Sequence, residues 1–238
     1  MIGKTRGEDK EEDKRTVVFR TAVTAAFGAL LTGVALSACG PVKMGTAATI
    51  GDERITTVRL DSTVAQWHKE YDANHDAKRV QQAAEQRGQR LPFDPDSPHR
   101  SALYQLIGFK VWDEAAREQG LTVTQGQVDG LLGGLGGQSG VSAVVLASGI
   151  QVRYTNDVAR VVLTQQALLQ RYGAAPNAQG QLDQAAQQRA LRQVDAAYSA
   201  AAGRLDITVN PRFGGFDARQ VALNPVSYRL SKTESGTG

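Results

Sequence analysis

The chain has 238 residues, 27 Lys and Arg against 24 Asp and Glu, a net charge of +3 and a single cysteine. That balance offers no case for a nucleic-acid partner, and one thiol excludes a disulfide framework and a cysteine-built metal site. The length fits one domain, or one with a small appendage, and plentiful Ala, Gln, Arg and Leu with few aromatics favours helices.

Residues 1–20 form a charged leader with Lys4, Arg6, Lys10, Lys14, Arg15 and Arg20 among acidic residues. Residues 21–38 carry no charge. A basic flank, an apolar run and small residues before a cut site describe a secretory signal. A run of about 18 residues is also near the lower limit for a membrane span. Gly33 and Ala35 dilute the run, and its end, Leu36-Ser37-Ala38-Cys39, is small and weakly apolar. The tetrad resembles a bacterial lipobox, in which the cysteine sulfur takes a diacylglyceryl group and cleavage makes that cysteine the new N-terminus. The plain alternative is a chance cysteine closing a membrane anchor. The expectation is a lipid-anchored protein on the extracytoplasmic face of the cell membrane. Residues 1–38 are then the signal peptide, Cys39 is the lipid attachment site, and Leu36, Ser37 and Ala38 are the recognition residues. More than one acyl chain makes such attachment durable. From Cys39 onward 21 basic and 19 acidic residues remain, a net of about +2.

Residues 39–46 read as a tether. Ala47 to Ile50, a Gly51-Asp52 turn and Arg54-Ile55 predict a hairpin. Thr56 or Thr57 then caps a helix carried by Val58, Leu60, Val64, Trp67 and Tyr71 to about residue 87. Residues 88–96, with Pro92 and Pro95, break it. Ser97-Pro98 opens a second helix with Leu103, Leu106, Ile107, Val111 and Ala115 on one stripe, stopped at Gly120. Thr124 and Gln127 form a capping box, with Val123 and Val128 placed as a staple. That helix runs through Leu131, Leu132 and Leu135 to a break at Gly136-Gly137-Gln138-Ser139-Gly140. A short helix over 141–148 follows, stopped at Gly149. A further helix spans 152–173, with Val158, Val161, Val162, Leu168, Leu169 and Tyr172 inward. After a linker at 174–180, an Ala-rich helix spans 182–202 with Leu182, Ala186, Val194, Tyr198 and Ala201 on one side, ending at Gly203. Leu205 to Val209 alternates as a strand, ended by Asn210-Pro211. In the tail, 218–238, Val221 and Leu223 join Phe213 and Phe216 as residues to dock, and the last eight or so residues are expected to be disordered.

The order of these elements is distinctive, and it resembles the SurA/PrsA-type chaperones. The closest likeness is to the SurA N-terminal-domain lipoproteins. The residues that carry the resemblance begin with Ile50-Gly51-Asp52-Glu53-Arg54-Ile55-Thr56 and continue with Leu103 to Val128. The helix from Val158 to Tyr172 follows, and Ile207-Thr208-Val209-Asn210-Pro211-Arg212-Phe213-Gly214 completes the set. Together they cover most of 47–217, the expected domain. The resemblance implies a mainly α fold, a multi-helix chaperone-like domain closed by a small sheet in which the N-terminal hairpin meets the C-terminal strand. In that family a parvulin isomerase module sits between the last two helices. Here only residues 174–181 separate them, whereas a module needs roughly 100 residues. The implied function is binding of unfolded or partly folded secreted polypeptides, without isomerase activity and without a cofactor. An envelope module holding one specific partner by the same helical faces is the alternative.

No residue pattern marks an enzyme. The glycines from Gly130 to Gly140 match neither phosphate-binding motif and read as a helix break, with a hinge at 133–140 as a further hypothesis. No G-x-S-x-G nucleophile motif occurs. The length is short for a two-lobed binder, and no alternating βαβ pattern appears. His68, Asp72 and His75, with Asp76 beside them, fall on one face of the first expected helix. That face is either a metal-ligating set, a pH-sensitive patch or a solvated surface. A structural metal site usually wants four ligands, so no metal is expected. His99, beside Pro98, reads as a first-turn surface residue. Trp67 and Trp112 read as core residues, with exposure in a client groove as the alternative.

Overall fold

The computed structural model describes residues 44–89, 93–94, 96–174 and 183–226. The signal segment, the lipobox with Cys39, Pro92, Pro95, most of the 174–180 linker and the end of the tail lie outside these residues. Among the described residues the fold is mainly helical with a small antiparallel sheet, as expected.

Strand β1 (Thr46–Ile50) turns at Gly51-Asp52 into β2 (Glu53–Thr56), and β3 (Ile207–Val209) pairs with the other edge of β1. The order is β2-β1-β3, so the first strand among the described residues is central and the two ends of the domain meet. Ala48 faces Val209 and Ile50 faces Ile207 across the ladder. The Asn210 side chain seals the junction by donating to the Thr46 carbonyl at 2.9 Å.

Thr56 caps α1 (Thr57–Asp72), its hydroxyl accepting from the Arg59 N–H. Leu60, Thr63, Val64 and Trp67 form the buried face. Val58 lies off that stripe and is 74% exposed, contrary to the expectation that it would face inward. The single helix expected to residue 87 is two helices. Asn74 accepts from the Ala77 N–H at 2.8 Å and starts α2 (His75–Gln86) afresh. A short amide that satisfies a free N–H outside the helix competes with continuing it.

Helix α3 (Pro98–Glu118) is the spine. Leu103, Ile107 and Val111 are fully buried against the sheet, α1 and the end of α7. Pro98 opens it, but the Ser97 side chain makes no capping bond. At its end the Gly120 N–H donates to Arg117 and the Leu121 N–H to Ala116, a Schellman turn that needs the left-handed φ of +60° at Gly120.

Helix α4 (Gln125–Gly134) carries the expected capping box between Thr124 and Gln127, and Val123 packs on the Val128 cluster as a staple. Helix α5 (Gly137–Ala147) begins four residues earlier than expected and bends 85° from α4, with Gly136 and Gly137 both at positive φ. A 3-10 turn (Val152–Tyr154) leads into α6 (Thr155–Arg171). The most buried α6 positions are Thr155, Ala159, Thr164 and Leu168, and the expected Val158, Val161 and Val162 are only half-buried. Small residues let α6 approach α3, α4 and α7 together. Helix α7 (Gln184–Arg204) passes through Gly203 instead of stopping there, because the chain turns extended only at Leu205.

The start of the tail is ordered. A 3-10 turn (Pro211–Phe213) is followed by a ribbon of β4 (Phe216–Asp217) and β5 (Ala222–Leu223), which buries Phe213 and Val221 in the main core.

Candidate functional site

A groove of about 350 Å³ opens between the second half of α3, the 119–124 turn and α6. Its apolar surface comes from Ala116, Leu121 and Val123, and its charges from Asp113, Arg117 and Arg160. The Schellman turn at Gly120 bends the chain away and leaves the wall open, and the Thr124 capping box fixes where α4 begins. Arg160 holds the far wall, donating to the Val123 carbonyl at 3.3 Å and to Gln125 Oε1 at 2.9 Å. Arg171 donates to the Gln119 carbonyl at the end of α3, where a cation complements the helix dipole.

A cleft of about 120 Å³ adjoins it, between β2, α1, α3 and the start of α6, and Asp113 lines both. Here Lys110 Nζ sits 2.6 Å and Arg59 3.5 Å from the Glu53 carboxylate. The hydrogen bond from Lys110 holds the Glu53 carboxyl below the usual range against the opposing effect of burial, and Arg59 adds to it. Partial desolvation by the cleft walls instead raises the solvent-exposed Asp113, opposed by Lys110 and Arg160 and reinforced by Asp157. Burial likewise raises Asp157. Asp157 is half-buried and Asp113 solvent-exposed, and among the described residues neither forms an ion pair within 4 Å. Phe109 and Tyr154 give the cleft an aromatic wall, their ring centroids 5.7 Å apart.

The two tryptophans do not line this surface. Trp67 is 5% exposed and donates to the Leu146 carbonyl at 2.9 Å, tying α1 to α5. Trp112, half-buried, stacks on Tyr198 with centroids 4.2 Å apart and ties α3 to α7. Burial pushes the Tyr198 hydroxyl far up.

The break at Asn74 disperses the polar face read from the sequence. His68 is on α1, its ring against Trp67, while His75 starts α2. Asp72 pairs with Lys78 at 3.7 Å and Asp76 with Arg79. Among the described residues no three His, Cys, Asp or Glu side chains gather as metal ligands. His99 lies 3.3 Å from Asp61 and links α3 to α1. The glycines of 130–140 form the exposed bend between α4 and α5. Cys39, Leu36, Ser37 and Ala38 lie outside the described residues.

Sequence reasoning passed over Glu53, Lys110, Asp113, Asp157 and Arg160. Their local signal is slight, Lys110 with Asp113, Asp113 with Arg117 and Asp157 with Arg160 at helical spacing, and the full grouping exists only after β2, α3 and α6 pack. No family model, curated protein or solved structure matches this chain. What the coordinates define is therefore a class of architecture: a mainly helical domain closed at its base by the pairing of its ends. An open groove of mixed polarity lies on its flank.

Proposed function

We propose that this chain is a lipoprotein, anchored through Cys39 on the extracytoplasmic face of the cell membrane. It acts as a SurA-like chaperone or folding factor that holds unfolded secreted polypeptides without isomerase activity. The observation that carries the reading is the α3–α6 groove. Its volume falls within the ~300–1,000 Å³ of common ligand pockets, and it is open and of mixed polarity, with Ala116, Leu121 and Val123 beside Asp113, Arg117 and Arg160. In this reading, short chain segments with apolar side chains lie along Ala116, Leu121 and Val123. The resemblance in the order of elements supports the same reading, as does the meeting of hairpin and last strand.

A second reading, one specific partner in the cell envelope, is favoured by the fixed charges of the adjoining cleft. Glu53, Lys110 and Arg59 are held in one arrangement, and preset charges set register and select partners.

The test is aggregation of a chemically denatured client diluted into buffer with the purified lipoprotein. The expected result is slower aggregation without ATP, weakened by Ala116→Glu in the groove. No slowing at several-fold excess counts against the chaperone reading.

A further inference from the structure

The cations of the α3–α6 groove are already engaged. Arg117 is held by Glu114, and Arg160 by the Val123 carbonyl and Gln125. Asp113 has no ion pair among the described residues, but it is solvent-exposed, so water serves it. The unengaged groups of the groove are the backbone of residues 121–123 and the hydroxyl of Thr164.

Residues 121–124 form no regular secondary structure, and their burial alternates. Leu121 and Val123 are half-buried while Thr122 and Thr124 are exposed, the pattern of an extended chain lying along a wall. The Leu121 N–H is spent on the Schellman turn, the Thr124 N–H on the capping box and the Val123 carbonyl on Arg160. Between these fixed points, the Thr122 and Val123 N–H groups and the Leu121 and Thr122 carbonyls pair with nothing among the described residues. Free donors and acceptors on a short extended run are what a second strand pairs with. The floor of the groove adds a further group. Thr63 and Thr155, buried on their helices, donate to the Arg59 and Val152 carbonyls. Thr164 is only 4% exposed and lines the groove, yet its hydroxyl has no partner among the described residues. A buried hydroxyl without a partner carries a desolvation cost that a bound acceptor removes.

We propose that the groove takes its client as an extended strand, paired backbone to backbone with residues 121–123, while the Thr164 hydroxyl donates to a client main-chain carbonyl. This rests on the chaperone reading above and deepens it, naming the conformation of the client and the groups that hold it. Main-chain hydrogen bonds are the same for every sequence, so this pairing gives affinity without demanding a motif. Side chains on alternate client positions then meet Ala116, Leu121 and Val123. The paired run is short, so binding is weak and reversible. A folded protein has most of its backbone groups paired already, whereas an unfolded chain offers them along its length. The site therefore selects unfolded chains by their backbone.

The probe is a fluorescein-labelled peptide of alternating valine and serine, titrated with the purified lipoprotein and read by anisotropy. Two analogues carry N-methyl groups on alternate residues, one on the valines and one on the serines. Each blocks one edge of the strand and keeps every side chain. The expected result is that one analogue binds like the parent and the other several-fold more weakly. Thr164→Val should weaken the parent peptide several-fold without lowering the thermal midpoint, because the hydroxyl has no protein partner to lose. Equal binding of all three peptides overturns the strand pairing, as does equal loss from both analogues. Wild-type affinity in Thr164→Val overturns the contact at the floor. A parent peptide that does not bind, in a preparation that still slows client aggregation, overturns the inference and leaves the chaperone reading standing. Neither binding nor slowing ends both.

Discussion

Replacing Trp67 separates a core pin from a client-binding ring. Its indole is 5% exposed, stacks on Tyr71 at 5.3 Å, meets Phe93 at 4.4 Å and donates to the Leu146 carbonyl. Trp67→Phe removes that donor and trims the ring. The hydrogen bond is worth about 1 kcal/mol net, near the low end because the Gly149 N–H also donates to the Leu146 carbonyl. Trimming the ring forfeits roughly 40 Å² of buried apolar area, or about 1 kcal/mol at ~25 cal/mol per Å². The expected loss is about 2 kcal/mol for Phe, rising to about 3–5 kcal/mol for Trp67→Ala, which also opens a cavity. Guanidinium denaturation followed by far-UV circular dichroism reads both, with a lowered midpoint at unchanged slope. In a Trp112→Phe background the remaining indole should emit as a buried ring, and its emission should not move when a client is added. A Trp67→Phe midpoint equal to wild type would falsify the pin. Trp67→Ala that keeps its stability but loses client binding would return the ring to the client-facing role.

The half-buried Asp157 sets a second expectation. A carboxyl whose folded pKa is raised binds more protons folded than unfolded, so it lowers stability once pH rises through its folded pKa. Asp157→Asn should stabilise the domain at neutral pH, the advantage fading as pH falls through the raised folded pKa toward the unfolded value, read by thermal melts across pH 4–8. Glu53 works in the opposite sense. Its pKa is lowered, so its contribution is present at neutral pH and lost in acid, and Glu53→Gln should flatten that loss while costing little, because the trio is part-exposed. Gly214→Ala should damage the tail. Gly214 sits at φ +99°, and a Cβ there would overlap the Asn224 carbonyl, so the β4–β5 ribbon must shift. Loss of amide protection at Val221 with α3 still protected is the expected signature, and full protection would contradict it.

The parts of the fold legible in the sequence are those fixed by neighbours in the chain. The Thr124–Gln127 box, the Gly51 turn and the Leu103–Ala115 stripe each carry their cause within a few residues. The pairing of β1 with β3 was within reach because a lone strand must find an edge, and the opening hairpin offers one. Asn74 was missed because an asparagine in a polar helical run reads alike whether it caps a new helix or decorates an old one. Val58 and Trp67 show the limit of apolar periodicity. The pattern names hydrophobes without saying which meet protein, and the stripe along Leu60, Val64 and Trp67 leaves Val58 outside. The groove was less legible still. Arg160 joins Asp113 and Arg117 only when α6 packs on α3, and a charge on one helix carries no trace of that meeting.

Site-directed crosslinking from the groove in the living membrane tests the central claim most directly. A photo-reactive residue replacing Thr122, at the groove mouth, is compared with one replacing Gln188 on the outer face of α7. The expected result is adducts to many unrelated secreted chains at 122, enriched when folding is stressed, and few at 188. One dominant partner at 122 would contradict chaperoning in favour of a dedicated envelope module, and equal labelling at both positions would contradict a binding role for the groove.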